Sequence, residues 1–152
     1  MEITIRQAHS EELSLVAYLA NAAYSVPFKD GAMVTKANDN EEKIIEEIKT
    51  GATVFVALSD ENIVGSVRCC LVDKNLNMYK LTTDPNFRNL GIGGKLINYV
   101  FNFAKTKTVE NIFIEVTEEK ALVPYYKSFG FSIVGEKKVK DHYEVDMVKA
   151  VV

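Results

Sequence analysis

The stretch Leu81-Thr82-Thr83-Asp84-Pro85-Asn86-Phe87-Arg88-Asn89-Leu90-Gly91-Ile92-Gly93-Gly94 runs from a β-rich segment into a helical one. Three of the chain's eight glycines fall within four of its positions. Glycine lets a backbone turn tightly and lets a ligand approach without a Cβ in the way. The first N–H groups of a helix have no intrahelical acceptor, and the helix dipole is positive there. A strand, a glycine-rich loop and a helix start therefore make a site suited to phosphate. Residues 74–107 add Lys74, Lys80, Arg88, Lys95, Lys105 and Lys107 against the single acid Asp84. The bland alternative is a glycine-rich helix start that serves only close packing. Two phosphate motifs are excluded. A P-loop needs Gly where Asn89 stands and Ser or Thr where Leu96 stands. A dinucleotide fingerprint starting at Gly91 needs a third Gly at that same Leu96.

Outward from this loop, the pattern predicts an α+β fold. Ile3 and Ile5 alternate with Thr4 and Arg6 as a short first strand. Ser10 is the expected cap of a helix ending near Tyr24, and residues 27–40 read as a loop. A second helix is expected over 41–50, with Asp39 and Glu42 as its capping pattern and Gly51 as its stop. Strands at 53–58, 63–72 and 76–83 have short connections and read as an antiparallel meander. A helix over 91–105 carries Ile92, Leu96, Ile97, Val100, Phe101 and Ala104 on one stripe. The apolar strand 112–116 lies parallel to the strand before that helix if the unit is a right-handed crossover. A helix over 119–129, in which Pro124 marks a kink or a later start, and strands at 131–136 and 142–148 complete the order. The result is a mixed, mostly antiparallel sheet of six or seven strands flanked by about four helices.

Composition narrows the class. The 152 residues suit one domain spanning 1–152, with 47% apolar and 26% charged residues. A net charge of −3 gives no global positive field for nucleic acid. No apolar run approaches the ~20 residues that span a bilayer, so no membrane partner is expected. The start, Met-Glu-Ile-Thr-Ile-Arg, lacks the form of a signal peptide. Cys69 and Cys70 are adjacent and cannot staple distant segments, which suggests a reducing compartment, the cytoplasm. The two histidines lie far apart, no cluster has zinc-ligand spacing, and no metal is expected.

The segment Arg88-x-x-Gly91-x-Gly93 resembles the Arg/Gln-x-x-Gly-x-Gly/Ala loop of the GNAT superfamily of N-acetyltransferases, and the element order resembles that family over essentially the whole chain. The resemblance implies acetyl-CoA as co-substrate. Backbone amides of Arg88, Asn89, Leu90, Gly91, Ile92, Gly93 and Gly94 would hold the coenzyme A pyrophosphate. The strand ending Leu81-Thr82-Thr83 would splay from its neighbour, and its backbone at Leu81 and Thr83 would pair with the pantetheine arm.

Acetyl transfer to an amine requires a base for the ammonium proton, stabilisation of the developing oxyanion, and an acid for the leaving thiolate. Tyr125-Tyr126-Lys127-Ser128-Phe129-Gly130-Phe131 resembles the family's Tyr-x-x-x-Gly-Phe, which puts Tyr126 in the general-acid position and Tyr125 one residue off register. A phenol with a pKa near ~10 is protonated at neutral pH and can donate to sulfur. The other reading of Tyr126 is an aromatic anchor of its helix. Glu115 interrupts an apolar strand and is the candidate base, because burial would raise its pKa. The alternative is a strand-end glutamate reaching solvent. Ile114-Glu115-Val116 resembles the Leu-Glu-Val of members that acetylate ribosomal-protein N-termini. Two departures weaken that assignment: Glu119 replaces the frequent Asn seven residues before the tyrosine, and the spacing from Glu115 to Tyr126 is one shorter.

Tyr24 and Phe28 begin the loop that by resemblance walls the acceptor site, and His142 shares a polar strand face with Glu144 and Asp146. All three are candidate acceptor contacts. Seven acids against Lys43 and Lys49 over residues 39–62 would draw in a cationic amine if they border the acceptor mouth. The expected acceptor is a small amine or polyamine, with a protein N-terminus or lysine as the alternative. A non-catalytic acyl-CoA-binding sensor is the competing class. Edge strands near the C-terminus leave room for a homodimer.

Overall fold

The computed structural model describes residues 2–23, 39–116, 122–139 and 142–151. Seven strands form one sheet in the order β1-β2-β3-β4-β5-β7-β6. They are β1 (Thr4–Gln7), β2 (Ala52–Ser59), β3 (Asn62–Val72), β4 (Asn75–Thr83), β5 (Asn111–Val116), β6 (Ser132–Val139) and β7 (His142–Ala150). The helices are α1 (Leu13–Ala23), α2 (Glu41–Lys49), α3 (Ile92–Lys105) and α4 (Leu122–Lys127). The expected α+β architecture is the observed one. β4 and β5 are parallel and every other neighbouring pair is antiparallel.

Period-two alternation on β2 builds two cores. Val54, Val56 and Leu58 meet Leu13, Val16 and Ala17 of α1 and Ile44 of α2. Phe55 and Ala57 point the other way, into a larger core with Leu96, Ile97 and Val100 of α3 and Val123 of α4. Each such fully buried aliphatic side chain contributes about 1.5–3 kcal/mol. On β3, Gly65 keeps this layer close, since a Cβ there would stand 2.9 Å from Ile92 Cγ2.

The helix starts differ from the expected caps. A 3-10 turn, Ser10–Glu12, precedes α1, and the Glu12 carboxylate accepts the His9 N–H at 2.8 Å. Both oxygens of that carboxylate also accept from Arg6, which pulls its pKa down to about 2. The cap of α2 is Asn40, whose side chain accepts the Lys43 N–H at 2.9 Å. Asp39 is instead turned inward to Arg68. Pro124 falls in the first turn of α4, where a missing N–H leaves no helix bond unmade.

The feature that positions the site is a split in the sheet. β4 pairs with β5 only over Asn75–Asn77 against Asn111–Phe113. β5 continues beside β7 to Val116, while β4 continues beside β3 to Thr83. The two strands diverge, as the sequence resemblance implied. Val67 of β3 faces two residues of β4 between the pairs Arg68–Tyr79 and Ser66–Thr82. This bulge carries Lys80 at φ 54, and the Thr82 hydroxyl donates to the Lys80 carbonyl at 3.0 Å. Bulges of this kind bend a strand and interrupt pairing.

Candidate active site

From the bulge onward, one edge of β4 is committed to β3 and the other faces the gap. The Asp84 N–H donates to the Val64 carbonyl at 2.8 Å. Alternation along an antiparallel strand then turns the backbone groups of Leu81 and Thr83 away from β3. Thr82 is buried. The chain next makes a 3-10 turn at Pro85–Phe87, with the Asp84 carboxylate accepting the Asn86 N–H. Asn89 and Gly91 both have positive φ, 66 and 81. Leu90 is exposed. Gly91 caps α3 without a side chain, so nothing of its own covers the first amides of the helix.

The three glycines do different things. A Cβ on Gly91 would meet nothing within 4 Å. A Cβ on Gly93 would stand 2.5 Å from the Tyr125 hydroxyl oxygen. A Cβ on Gly94 would stand 2.9 Å from two carbons of the Phe129 ring. Gly91 therefore borders open space, while Gly93 and Gly94 admit aromatic groups that follow α4's start. The close-packing reading of the cluster applies to Gly93 and Gly94, and Gly91 is the member that packing does not explain.

The Arg88 side chain is used differently from the simplest expectation. Its Nη2 donates to the Ala23 carbonyl at the end of α1, at 2.6 Å. The loop that would hold the coenzyme is thus tied to the helix on the other face of the sheet.

Tyr126 is half-buried against the larger core, edge-on to Phe131 and to Tyr125 with ring centroids 5.9 and 5.4 Å apart. Glu115 is exposed, which agrees with the strand-end reading and not with a buried base. It projects from β5 on the face that carries α1 and α2, directly across from Asp146 on β7. It is one of the acids, after Glu144, that raise the Lys137 pKa. His142 opens β7 opposite Val139. Tyr24 and Phe28 lie outside the described residues.

A polar group that the sequence reading passed over lies beneath α1 and α2. Arg68, 1% exposed, pairs with the buried Asp39 and reaches Glu47 Oε2 at 3.3 Å. The Tyr79 hydroxyl donates to Glu47 Oε1 at 2.6 Å. Burial and that glutamate push the Tyr79 phenol up, which disqualifies it as a base. Asp39 and Glu47 belong to the acidic stretch expected at the acceptor mouth, so two of its seven charges are spent internally. An arginine within the apolar run of β3 was the available signal. Its partners lie 21 and 29 residues away and no spacing reveals them.

Among the described residues no group of His, Cys, Asp and Glu is placed to hold a metal. Burial pushes the Cys69 thiol up to about 12, so it is not an activated nucleophile. No helix among the described residues is long and apolar enough to cross a membrane.

A sheet that splits between β4 and β5, with a glycine-rich loop leading from β4 into α3, defines the acyl-CoA N-acyltransferase class of fold. A family model described as an acetyltransferase (GNAT) domain matches residues 25–151, and the chain belongs to that family. It is 32% identical to N-alpha-acetyltransferase 50 of Danio rerio over 106 residues, 65% of this chain and 62% of that protein. It is 29% identical to a probable N-acetyltransferase, san, of Drosophila melanogaster, over 72% of this chain and 63% of that protein. The chain thus spans about three-fifths of the length of these relatives. The crystal structure of the ribosomal-protein-S18-alanine N-acetyltransferase of Escherichia coli superposes with a TM-score of 0.81 at 15% identity, covering 99% of this chain and 94% of that one. An aminoglycoside 6'-N-acetyltransferase complexed with coenzyme A superposes with a TM-score of 0.79 at 13% identity, covering 98% and 97%. At these identities the likeness is one of fold.

Proposed function

We propose that this protein is an acetyl-CoA-dependent N-acetyltransferase that brings a primary amine to the coenzyme in a ternary complex. The observation that carries the reading is the divergence of β4 from β5, which leads to the clear space over Gly91 at the start of α3. Those residues fit the coenzyme. The backbone at Leu81 and Thr83 would pair with the pantetheine arm, and the amides from Arg88 to Gly94 would hold the diphosphate. When bound, acetyl-CoA supplies the activated acetyl thioester. The backbone at the Lys80 bulge borders the gap where a carbonyl oxygen would need a donor. Tyr126 keeps a proton for the leaving sulfur. Glu115, exposed beside the gap, takes the ammonium proton through water.

The relatives named as N-acetyltransferases support this reading, and one of them is an N-alpha-acetyltransferase. The acceptor we infer is a small amine or polyamine, with a protein N-terminus or lysine as the alternative. The proposed setting is cytoplasmic, and a homodimer would use edge strand β6, which exposes Ile133 and Val134. The mechanism is tested by Tyr126→Phe, expected to lower turnover by about 10²–10⁴ while coenzyme affinity stays near that of the parent. Unchanged turnover removes this tyrosine from the mechanism.

A further inference from the structure

Tyr125 stands one position off the tyrosine register, yet its hydroxyl reaches the first turn of α3. A Cβ built on Gly93 lies 2.5 Å from that oxygen and 4.0 Å from Thr83 Oγ1. The phenol of α4 and the hydroxyl at the end of β4 therefore approach the same point of the helix start. The ring is held from two sides, edge-on to Tyr126 at 5.4 Å and to Phe129 at 5.1 Å between centroids. Phe129 is fixed in turn against Gly94.

We propose that Tyr125 is a coenzyme-binding residue: its O–H donates to a diphosphate oxygen held over the first turn of α3, and position 93 is glycine so that this hydroxyl can stand there. The proposal rests on the coenzyme reading above. The diphosphate is the favoured partner because the helix amides and dipole concentrate negative charge at this point. A hydroxyl bonds an ionised oxygen about twice as strongly as a neutral one. Burial pushes the Tyr125 phenol up from its ordinary value, so it remains a donor at neutral pH.

The geometry makes Gly93 and Tyr125 act on a single atom. An alanine at 93 displaces the hydroxyl. With phenylalanine at 125 the nearest ring atom to that methyl group is Cζ, at 3.7 Å, an ordinary contact. The two substitutions should then be non-additive. The experiment is calorimetric titration of coenzyme A into the parent chain, Tyr125→Phe, Gly93→Ala and the double variant. Each single change is expected to weaken binding by about tenfold. The double variant is expected to bind about as weakly as either single one, where independent effects give about a hundredfold. The same loss is expected with 3′-dephospho-coenzyme A, because the contact is to the diphosphate. A Tyr125→Phe variant that binds coenzyme A like the parent overturns the proposal, and so does a loss that vanishes with the dephospho compound. Multiplicative losses in the double variant overturn the shared-atom explanation of Gly93. Should Gly93→Ala not fold, Tyr125→Phe with the two ligands decides the matter alone. A parent chain that binds no coenzyme A overturns the underlying reading instead, so the two failures are distinct.

Discussion

A methyl group added at Gly94 would press on the Phe129 ring at 2.9 Å, whereas one added at Gly91 would point into open space. Substitutions at these neighbouring positions should therefore fail differently. Gly94→Val forces the ring away from α3 and is expected to cost about 1–3 kcal/mol of stability. Gly91→Val meets no neighbour but must hold φ 81, a strain of roughly 1–2 kcal/mol. Its larger effect is on coenzyme affinity, expected to fall at least tenfold, because its side chain occupies the phosphate space. Thermal unfolding and calorimetric titration of both variants check the contrast; equal losses of stability with normal affinity for Gly91→Val would break the loop assignment. The cluster itself was legible in the chain. The division of labour within it was not, because Tyr125 and Phe129 meet Gly93 and Gly94 across more than thirty residues of sequence. Glu115 shows the converse limit. An acid in the run Ile112–Val116 reads equally as buried or as reaching solvent, and the choice falls to tertiary structure: β5 continues past its pairing with β4, and Glu115 is exposed there.

At the scale of elements, periodicity placed the strands and helices of the described residues well, since each face alternates against a core. Caps were less legible, because Asp39 and Asn40 are both good capping residues and only tertiary contact separates them. Asn40 bonds the Lys43 N–H, which frees Asp39 for Arg68. The Asn21 side chain in turn bonds the Asp39 backbone in both directions, at 2.9 and 3.0 Å. One buried guanidinium thereby joins α1, α2 and β3. Arg68→Met leaves the Asp39 carboxylate buried without its cation and is expected to cost about 3–5 kcal/mol. Adding Asp39→Asn to that variant should recover part of the loss. Urea unfolding measures both. An Arg68→Met chain as stable as the parent would show that the pair holds nothing together.

For the whole molecule, the decisive arrangement is a sheet held shut at one end of β4 and β5 and open at the other. The gap lies between two layers: α3 and α4 carry the glycine loop and the tyrosines on one side, and α1 and α2 lie on the other. Arg88, bonded to the end of α1, ties the two layers at the loop. The resemblance made this architecture legible, because loop, crossover and element order agree along the chain. The acceptor was not legible. Tyr24 and Phe28 lie outside the described residues, and part of the acidic stretch turned out to serve the Arg68 pairs. The most direct test is thiol release from acetyl-CoA with a panel of primary amines, polyamines and peptides. An acetyltransferase gives amine-dependent release that saturates in acetyl-CoA. Tight coenzyme A binding with no release on any amine would contradict that function and leave an acyl-CoA sensor in its place.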